Sequence, residues 1–420
     1  MKERLLQRLR IPWFCCASLF TCFSASGDCT AAPKKAARAV PFRPLACSTE
    51  HPVCIEGPID VGKDLVNDHL SSLNEAWRML FEILPLPLPD AADVSQLRIL
   101  LSRTEPTRAI PYVRDSRSLW ERSSATLILH LEANACIRTH EAARMLAHAA
   151  LLRAAPHTPN ASVTAESEHL AGLVAPCMAD DAAWVLGASS ERSLFERAWL
   201  DERFDTPEVR AQSVFFSWLD RSYGRAPASL VAGIWARSPR RIDSTEPASA
   251  PDVVDVLEAT FRNQDSVISW HEELYGRFAE YLVATFSRVI RPAWDVPWPE
   301  RARGFVGPQS LSPTGSTFVR VSARPTSALS VQITWEEHMR MRWVALRTNG
   351  NAEIIGRTEL SHPDRSTNVQ GTIRATADTA AVWLIGTSTG DWQVPYHPSE
   401  NISEPHGYLM RIDGAEASSP

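Results

Sequence analysis

The sequence predicts an α+β protein in which a mainly helical domain is followed by a small antiparallel β-sandwich. Apolar residues recur at helical spacing over most of the chain between Val61 and Arg288. Residues 289–315 are rich in Pro and Gly, and beyond them apolar residues alternate with a period of two. A chain of 420 residues that is 44% hydrophobic is long enough for two such domains, each with its own core.

Composition excludes two broad classes of protein. Charged residues make up 22% of the chain and the formal net charge is −6. The chain therefore lacks the high net charge of a disordered protein and the basic character by which proteins bind nucleic acid. We expect no nucleic-acid partner.

The first 27 residues predict a signal peptide. A basic start, MKERLLQRLR, is followed by an apolar stretch from Ile11 to Phe23 and by the small residues Ala25 and Gly27. The apolar stretch is shorter than the about 20 residues that span a bilayer, and no later segment qualifies as a transmembrane helix. We therefore expect an exported protein that is periplasmic, associated with the outer membrane or extracellular. The sequence LFTC at 19–22 also resembles a lipobox, which leaves a lipid anchor as the alternative.

Residues 28–46 are rich in Ala, Pro and basic residues and predict a flexible tether, so folded structure is expected from Cys47 onwards. The mostly helical domain is predicted over 47–288. Its predicted elements are a helix from Val61 to Leu84, strands at Leu97 to Leu101 and Ala125 to Leu131, a helical hairpin at 136–155 and 162–174, and helices at 208–223, 227–236, 253–261 and 267–288.

Residues 289–315 predict a connection between domains, residues 316–400 a β-sandwich, and residues 401–420 a C-terminal tail. Alternating stretches predict strands at 317–321, 329–335, 339–347, 354–360, 369–374 and 381–386, with Asn349-Gly350 as a hairpin turn. Trp392 and Tyr396 would suit a carbohydrate- or protein-binding module, although packing in a core or an interface explains them equally well.

Cysteine positions predict two disulfides. Three of the eight cysteines lie in the signal peptide, and four of the other five pair plausibly. Cys47 and Cys54 would close a short loop, whereas Cys136 and Cys177 flank the helical hairpin and would meet at its open end. Free buried thiols with no bridge are the alternative.

The order of elements carries a family resemblance. A strand, a histidine-bearing helix, a second helix with acidic residues and a later helix ending in FFSWLDRSYG together resemble exported zinc metallopeptidases of the thermolysin-like, or gluzincin, class over roughly residues 50–285. Members of that class carry H-E-x-x-H on the first helix, because residues four apart share a face and both imidazoles reach one Zn²⁺. A Glu on the next helix is the usual third ligand.

The matching stretch here, Ala143 to Ala149, is degenerate. Arg144 stands where the first zinc ligand belongs and Met145 where the catalytic Glu belongs, while His148 and Glu168 match the second and third ligands. A guanidinium cannot ligate zinc and a thioether cannot take a proton from water. The resemblance therefore implies the family's fold with a vestigial pocket, no catalytic residues and no cofactor. It leads us to expect a non-catalytic, metallopeptidase-like protein that binds an unidentified protein or envelope component, or has a structural role in the cell envelope.

Two further expectations concern the same helices. Arg144 and His148 share a face of the first helix, so Arg144 is expected to pair with Glu168 on the returning helix. His140-Glu141 also begins like the family motif, but His140 and His148 would lie about 12 Å apart along a helix, too far to share one ion. A rearranged zinc site, with His148 and either Glu168 or His169 as ligands, would make the chain a metal-dependent hydrolase, which is the alternative function.

Overall fold

A five-stranded sheet forms the base of the first domain. In the computed structural model its strands are β1 (Arg43–Cys47), β2 (Val53–Gly57), β3 (Leu97–Ser102), β4 (Arg108–Val113) and β5 (Ser123–His130). The order is β1-β2-β3-β5-β4, with β2, β3 and β5 parallel and the two edge strands antiparallel. Strands β3 and β5 match the predicted ones, whereas the other three were not predicted.

The structure describes residues 43–84, 86–89, 97–104, 108–113, 123–131, 134–154, 160–178, 207–226, 229–237, 253–262, 271–307, 311–361, 367–391 and 407–416. The predicted signal peptide, most of the predicted tether, Trp392 and Tyr396 lie outside these residues. Within them, no helix is both long and apolar enough to cross a membrane.

The end of the predicted tether is wrong, because β1 begins at Arg43. This strand pairs with β2 as an antiparallel hairpin in which Cys47 and Cys54 are register partners joined by a disulfide. The hairpin and its bridge hold a Pro- and Ala-containing segment, RPLAC, in an extended form that its composition alone does not indicate.

Seven helices are described: α1 (Lys63–Trp77), α2 (Ala135–Ala154), α3 (Asn160–Val174), α4 (Pro207–Tyr223), α5 (Ser229–Arg237), α6 (Val253–Arg262) and α7 (His271–Phe286). A π-helical segment, Arg78–Ile83, continues α1. Helix α2 begins at a side-chain cap, since the Ile137 N–H donates to Oδ1 of Asn134 at 2.9 Å. Its buried residues include five alanines, whose small side chains let neighbouring elements approach closely: Ala142, Ala143, Ala147, Ala149 and Ala150.

Helix α3 lies at the centre of the helical packing, against α2 on one side and α4 on another. Residues 163–170 are all buried, including Thr164, Glu166, Ser167, Glu168 and His169. A helix that is buried on every side would ordinarily be apolar throughout. The polar side chains of α3 must therefore find partners inside the protein.

The predicted β-sandwich is confirmed and is larger than 316–400. Its strands are β6 (Trp294–Val296), β7 (Arg303–Val306), β8 (Ser316–Ser322), β9 (Ser327–Trp335), β10 (Met339–Thr348), β11 (Ile354–Ser361), β12 (Asn368–Arg374), β13 (Ala381–Asp391) and β14 (Tyr408–Glu416). One sheet has the order β11-β10-β13-β8-β6 and the other β12-β9-β14-β7.

Both predicted ends of the sandwich, at residues 316 and 400, are therefore wrong, because the sandwich extends beyond each of them. Strands β6 and β7 lie within 289–315, which was expected to be a connection, and β14 lies within 401–420, which was expected to be a tail. Strand β14 pairs along its whole length with β9 and buries Tyr408, Met410 and Ile412 on alternate positions. The sandwich thus depends on residues from both flanking segments.

The sandwich shares a core with the helical domain. The face of the β8, β10 and β13 sheet that points away from the sandwich interior is apolar, and it packs into the core of the helical domain. The residues concerned are Phe318, Val344, Leu346, Ala381, Trp383 and Ile385. Helix α7 contacts β13 directly. The sandwich also has its own core between its two sheets, as expected, and the outer face of this sheet adds to the core of the helical domain.

An ion-pair network around the buried Arg342 reinforces the same interface. Arg342 on β10 lies 3.0 Å from Glu280 of α7 and 3.3 Å from Glu359 of β11. Arg357 on β11 contacts the same two carboxylates, at 2.7 and 2.9 Å. Gly276, one turn before Glu280 on α7, leaves the space that the Arg342 guanidinium occupies. Helix and sheet are therefore held in one orientation.

Candidate functional site

The α2–α3 hairpin carries the residues singled out in the sequence. Cys136 at the start of α2 and Cys177 just beyond α3 form a disulfide with a Cα–Cα distance of 6.0 Å. Both predicted disulfides, Cys136–Cys177 and Cys47–Cys54, are thus confirmed. Disulfides are typical of proteins in an oxidising compartment, so the pair indicates an extracytoplasmic protein.

Three buried side chains and the partly buried Glu141 form a cluster where α2 packs on α3. His140, Glu141 and Arg144 lie on α2, and Glu168 lies on α3. The guanidinium of Arg144 donates to Oε2 of Glu141 from Nη2 at 2.5 Å and from Nε at 3.0 Å. Its Nε also lies 3.7 Å from Oε2 of Glu168, and Nε2 of His140 lies 3.3 Å from Oε1 of the same carboxylate. We call these four residues the α2–α3 cluster.

Helix geometry explains why His140, Glu141 and Arg144 of α2 lie together. His140 and Arg144 are four residues apart and therefore project from one face, while Glu141 is three residues from Arg144. His140 and Glu168 are fully buried, and Arg144 is 2% exposed. Charges at this depth are tolerated only when they are paired, which the two carboxylates and the guanidinium achieve together.

The residues predicted for the vestigial pocket are only partly brought together. Arg144 and Glu168 lie within ion-pair distance, as expected. Met145 is buried in the apolar core instead of in a polar pocket. His148 is buried one turn beyond Arg144, and burial, with a further contribution from the Arg144 charge, lowers its pKa to about 3. His148 is therefore a neutral imidazole at ordinary pH.

Two members of the cluster, His140 and Glu141, were not placed in the predicted pocket. His140 was set aside because of its distance from His148, yet the structure places it against Glu168. The signal in the sequence was the run His140-Glu141-Ala142-Ala143-Arg144, which has the spacing of H-E-x-x-H with arginine at its last position. Glu166, two residues before Glu168 on α3, is also fully buried.

Zinc does not fit this set of residues. Among the residues that the structure describes, no group of three or more His, Cys, Asp or Glu side chains could hold a metal ion. The third position of the cluster is a guanidinium, which has no lone pair to give to a metal and which already pairs with Glu141 and Glu168. A fixed cation thus stands beside the carboxylate that the resemblance assigns to a metal.

A second buried pair joins α3 to α4. Nε2 of His169 lies 2.6 Å from Oδ2 of Asp220, and the other oxygen of Asp220 accepts the N–H groups of Leu230 and Val231 at 3.0 Å each. Leu230 and Val231 lie in the first turn of α5, so Asp220 caps that helix from a neighbouring one. His169 is therefore engaged with α4, which does not support its predicted role as a metal ligand beside His148.

Comparison with known proteins finds only distant structural similarity. No family model matches the chain, and no curated protein matches it. The pre-peptidase C-terminal domain of a collagenase from Bacillus anthracis is 6% identical to this chain, with a TM-score of 0.20. The match covers 30% of this chain and 96% of the collagenase domain. The periplasmic g-type lysozyme inhibitor PliG from Aeromonas hydrophila is 14% identical to this chain, with a TM-score of 0.17. The match covers 29% of this chain and 99% of the inhibitor.

A CBM4 structure is 12% identical to this chain, with a TM-score of 0.15. The match covers 27% of this chain and 79% of the CBM4 chain. All three TM-scores are low, and each match covers less than a third of this chain. These similarities do not indicate what the chain binds.

Proposed function

We propose that this chain is an exported, non-catalytic protein with a metallopeptidase-like helical domain, and that it acts in the cell envelope by binding a partner or as a structural part. The observation that carries the proposal is the position of Arg144. Its guanidinium pairs with Glu141 and Glu168, the two carboxylates that the metallopeptidase class would use as base and metal ligand. The α2–α3 cluster is then a structural ionic network.

The contacts support a different register from the one first assigned. With His140 as the first ligand position, Glu141 as the base position and Arg144 as the second ligand position, a single residue departs from the H-E-x-x-H pattern. Glu168, the third ligand position, contacts both His140 and Arg144. This register supports a metallopeptidase-like origin better than the one through Met145 and His148.

Charge balance gives the substitution a physical reason. Without a cation, the fully buried carboxylate of Glu168 would lie near the partly buried carboxylate of Glu141, and that arrangement is unfavourable. A divalent metal would supply the missing charge in an enzyme, and Arg144 supplies it here. The exchange preserves the packing of α2 on α3 while removing a group that could polarise a peptide carbonyl or activate water.

A zinc-dependent hydrolase with a rearranged site is the second candidate. The observation in its favour is the 3.3 Å approach of His140 to Glu168, because both are metal-ligating residue types. The proposal and this alternative predict different metal contents.

The deciding experiment uses the mature protein purified without chelators. Elemental analysis is combined with an assay on a generic protein substrate, with and without added zinc, and Glu141→Gln serves as the matched variant. We expect substoichiometric zinc and the same absence of proteolysis in both proteins. Stoichiometric zinc, together with proteolysis that Glu141→Gln abolishes, would establish the hydrolase instead.

A further inference from the structure

A cleft of about 420 Å³ opens where the end of the helical domain meets the sandwich. It is lined by the segment after α7, by β6 and β8, by the turn between β10 and β11, and by the start of β13. Pockets for small molecules commonly lie at such junctions and have volumes of about 300–1,000 Å³. The cleft shares no residue with the α2–α3 cluster.

Two arginines dominate the charge of the cleft. Nη1 of Arg320 donates to both carboxylate oxygens of Asp295, at 2.9 and 3.1 Å. Nη2 of Arg288 donates to the Asn351 carbonyl at 3.2 Å. Within the part of the chain that the structure describes, these contacts leave the Nε and one Nη of each guanidinium without a protein partner. The lining therefore has N–H donors available for a ligand, and its net charge is positive because two arginines face one aspartate.

The ion pair in the cleft can be opened at small cost. Asp295 and Arg320 are register partners on β6 and β8, so the ion pair is also explained as an ordinary cross-strand contact. Their side chains are 55% and 35% exposed, however, and ion pairs this exposed contribute little to stability. A competing anion could displace Asp295 and take the Arg320 guanidinium without disturbing the fold.

Apolar residues form another part of the lining. Ile290, Ala381 and Trp383 form the floor of the cleft, and because all three are buried in the core of the helical domain they present only a small apolar surface. A ligand that used both features would carry an anionic head and a small apolar body. A carboxylate suits the planar guanidinium, because its two oxygens match two parallel N–H donors.

We infer that this cleft binds a small organic carboxylate, held by Arg320 and Arg288 with its apolar part over the floor of the cleft. The site would serve the binding role proposed above, but it does not depend on the state of the α2–α3 cluster. If one proposal is disproved, the other is unaffected, because metal content tests the proposal about the α2–α3 cluster and anion binding tests the proposal about the cleft.

The test is calorimetric titration of the full mature protein with benzoate, acetate and inorganic phosphate at constant ionic strength. We expect saturable binding of one benzoate, weaker binding of acetate because it lacks the apolar body, and weaker binding of phosphate. Arg320→Gln should weaken benzoate binding at least about tenfold, which is the scale of one hydrogen bond to a charged group. Arg411→Gln, on an exposed position of β14, is the matched control and should bind as the unmodified protein does.

A second variant tests the same inference by a gain of binding. Asp295→Asn removes the competing carboxylate, so it should tighten benzoate binding. Saturable binding that is lost in Arg320→Gln and strengthened in Asp295→Asn supports the site. Absence of saturable binding, equal binding by Arg320→Gln and Arg411→Gln, or tighter binding of phosphate than of benzoate would overturn it.

Discussion

Nε of Arg144 lies 3.7 Å from Oε2 of Glu168 across the α2–α3 interface, and both side chains are buried. This pairing gives a structural reason for an arginine in the middle of the buried stretch of α2. Glu141 and His140 complete the arrangement from the same helix. The cluster therefore makes the folding of the hairpin depend on electrostatics as well as on packing.

Replacing either partner of this pair alone should lower the free energy of unfolding, and the two single losses should add up to more than the loss in the double variant. Arg144→Met removes the cation beside Glu141 and Glu168, and Glu168→Gln removes the charge of one of the two carboxylates beside Arg144, so we expect losses of about 3–5 kcal/mol for the first and less for the second. The double variant should lose less than the two single variants added together. Urea unfolding of the four proteins measures the coupling, and additive effects would disprove the ion pair.

The buried His148 predicts acid sensitivity in a defined range. Its pKa is about 3 in the folded protein, mainly because of burial, against 6.5 when unfolded. The unfolded state therefore binds the proton first, so the full stability is present above pH 6.5 and declines as the pH falls towards 3. The decline should approach about 2 kcal/mol by pH 5, at roughly 1.4 kcal/mol per unit.

Unfolding measured between pH 7.5 and 5 should show a shallower decline for His148→Gln than for the unmodified protein. His69, whose pKa burial also lowers, adds a contribution of the same sign and is removed in parallel by His69→Gln as a control. Identical slopes for the unmodified protein and His148→Gln would contradict the assignment.

The sequence was most informative where periodicity and local chemistry agree. The helices of the first domain and the strands β8 to β13 were predicted because their apolar spacing is regular, and the Cys136–Cys177 bridge followed from the helical hairpin. Strands β1 and β14 were missed because short Pro- or Gly-containing segments become strands only through their pairing partners. His140 was set aside because the pocket was built around His148, and contacts across helices are not visible in the sequence.

Gly276 should be intolerant of any side chain. A Cβ at this position would collide with the Arg342 guanidinium and push it away from Glu280 and Glu359. Gly276→Ala should therefore cost roughly 1–3 kcal/mol, as overpacked sites do. Gly172 in α3 is the matched control, because nothing lies within 4 Å of the added atom and alanine is favoured over glycine in a helix by about 0.5–1 kcal/mol. Equal effects at the two sites would rule out the steric explanation.

The two disulfides should differ in their contribution to stability. Cys136–Cys177 closes a separation of 41 residues and Cys47–Cys54 one of 7 residues. Loop-closure entropy then gives about 4 kcal/mol for the first and about 2 kcal/mol for the second. Chemical unfolding of the paired Cys→Ala variants measures both losses. Peptide mapping under non-reducing conditions is the prior check, and recovery of free thiols at these positions would remove the premise.

The most direct test of the central claim, that Arg144 takes the place of a metal, is the zinc content of Arg144→His. This single change completes an H-E-x-x-H run from His140 and leaves Glu168 as the third ligand. We predict that the unmodified protein takes up no stoichiometric zinc, that Arg144→His binds one zinc ion per chain, and that Glu168→Gln in the Arg144→His background abolishes this binding. Stoichiometric zinc in the unmodified protein, or a folded Arg144→His protein that binds none, would contradict the account.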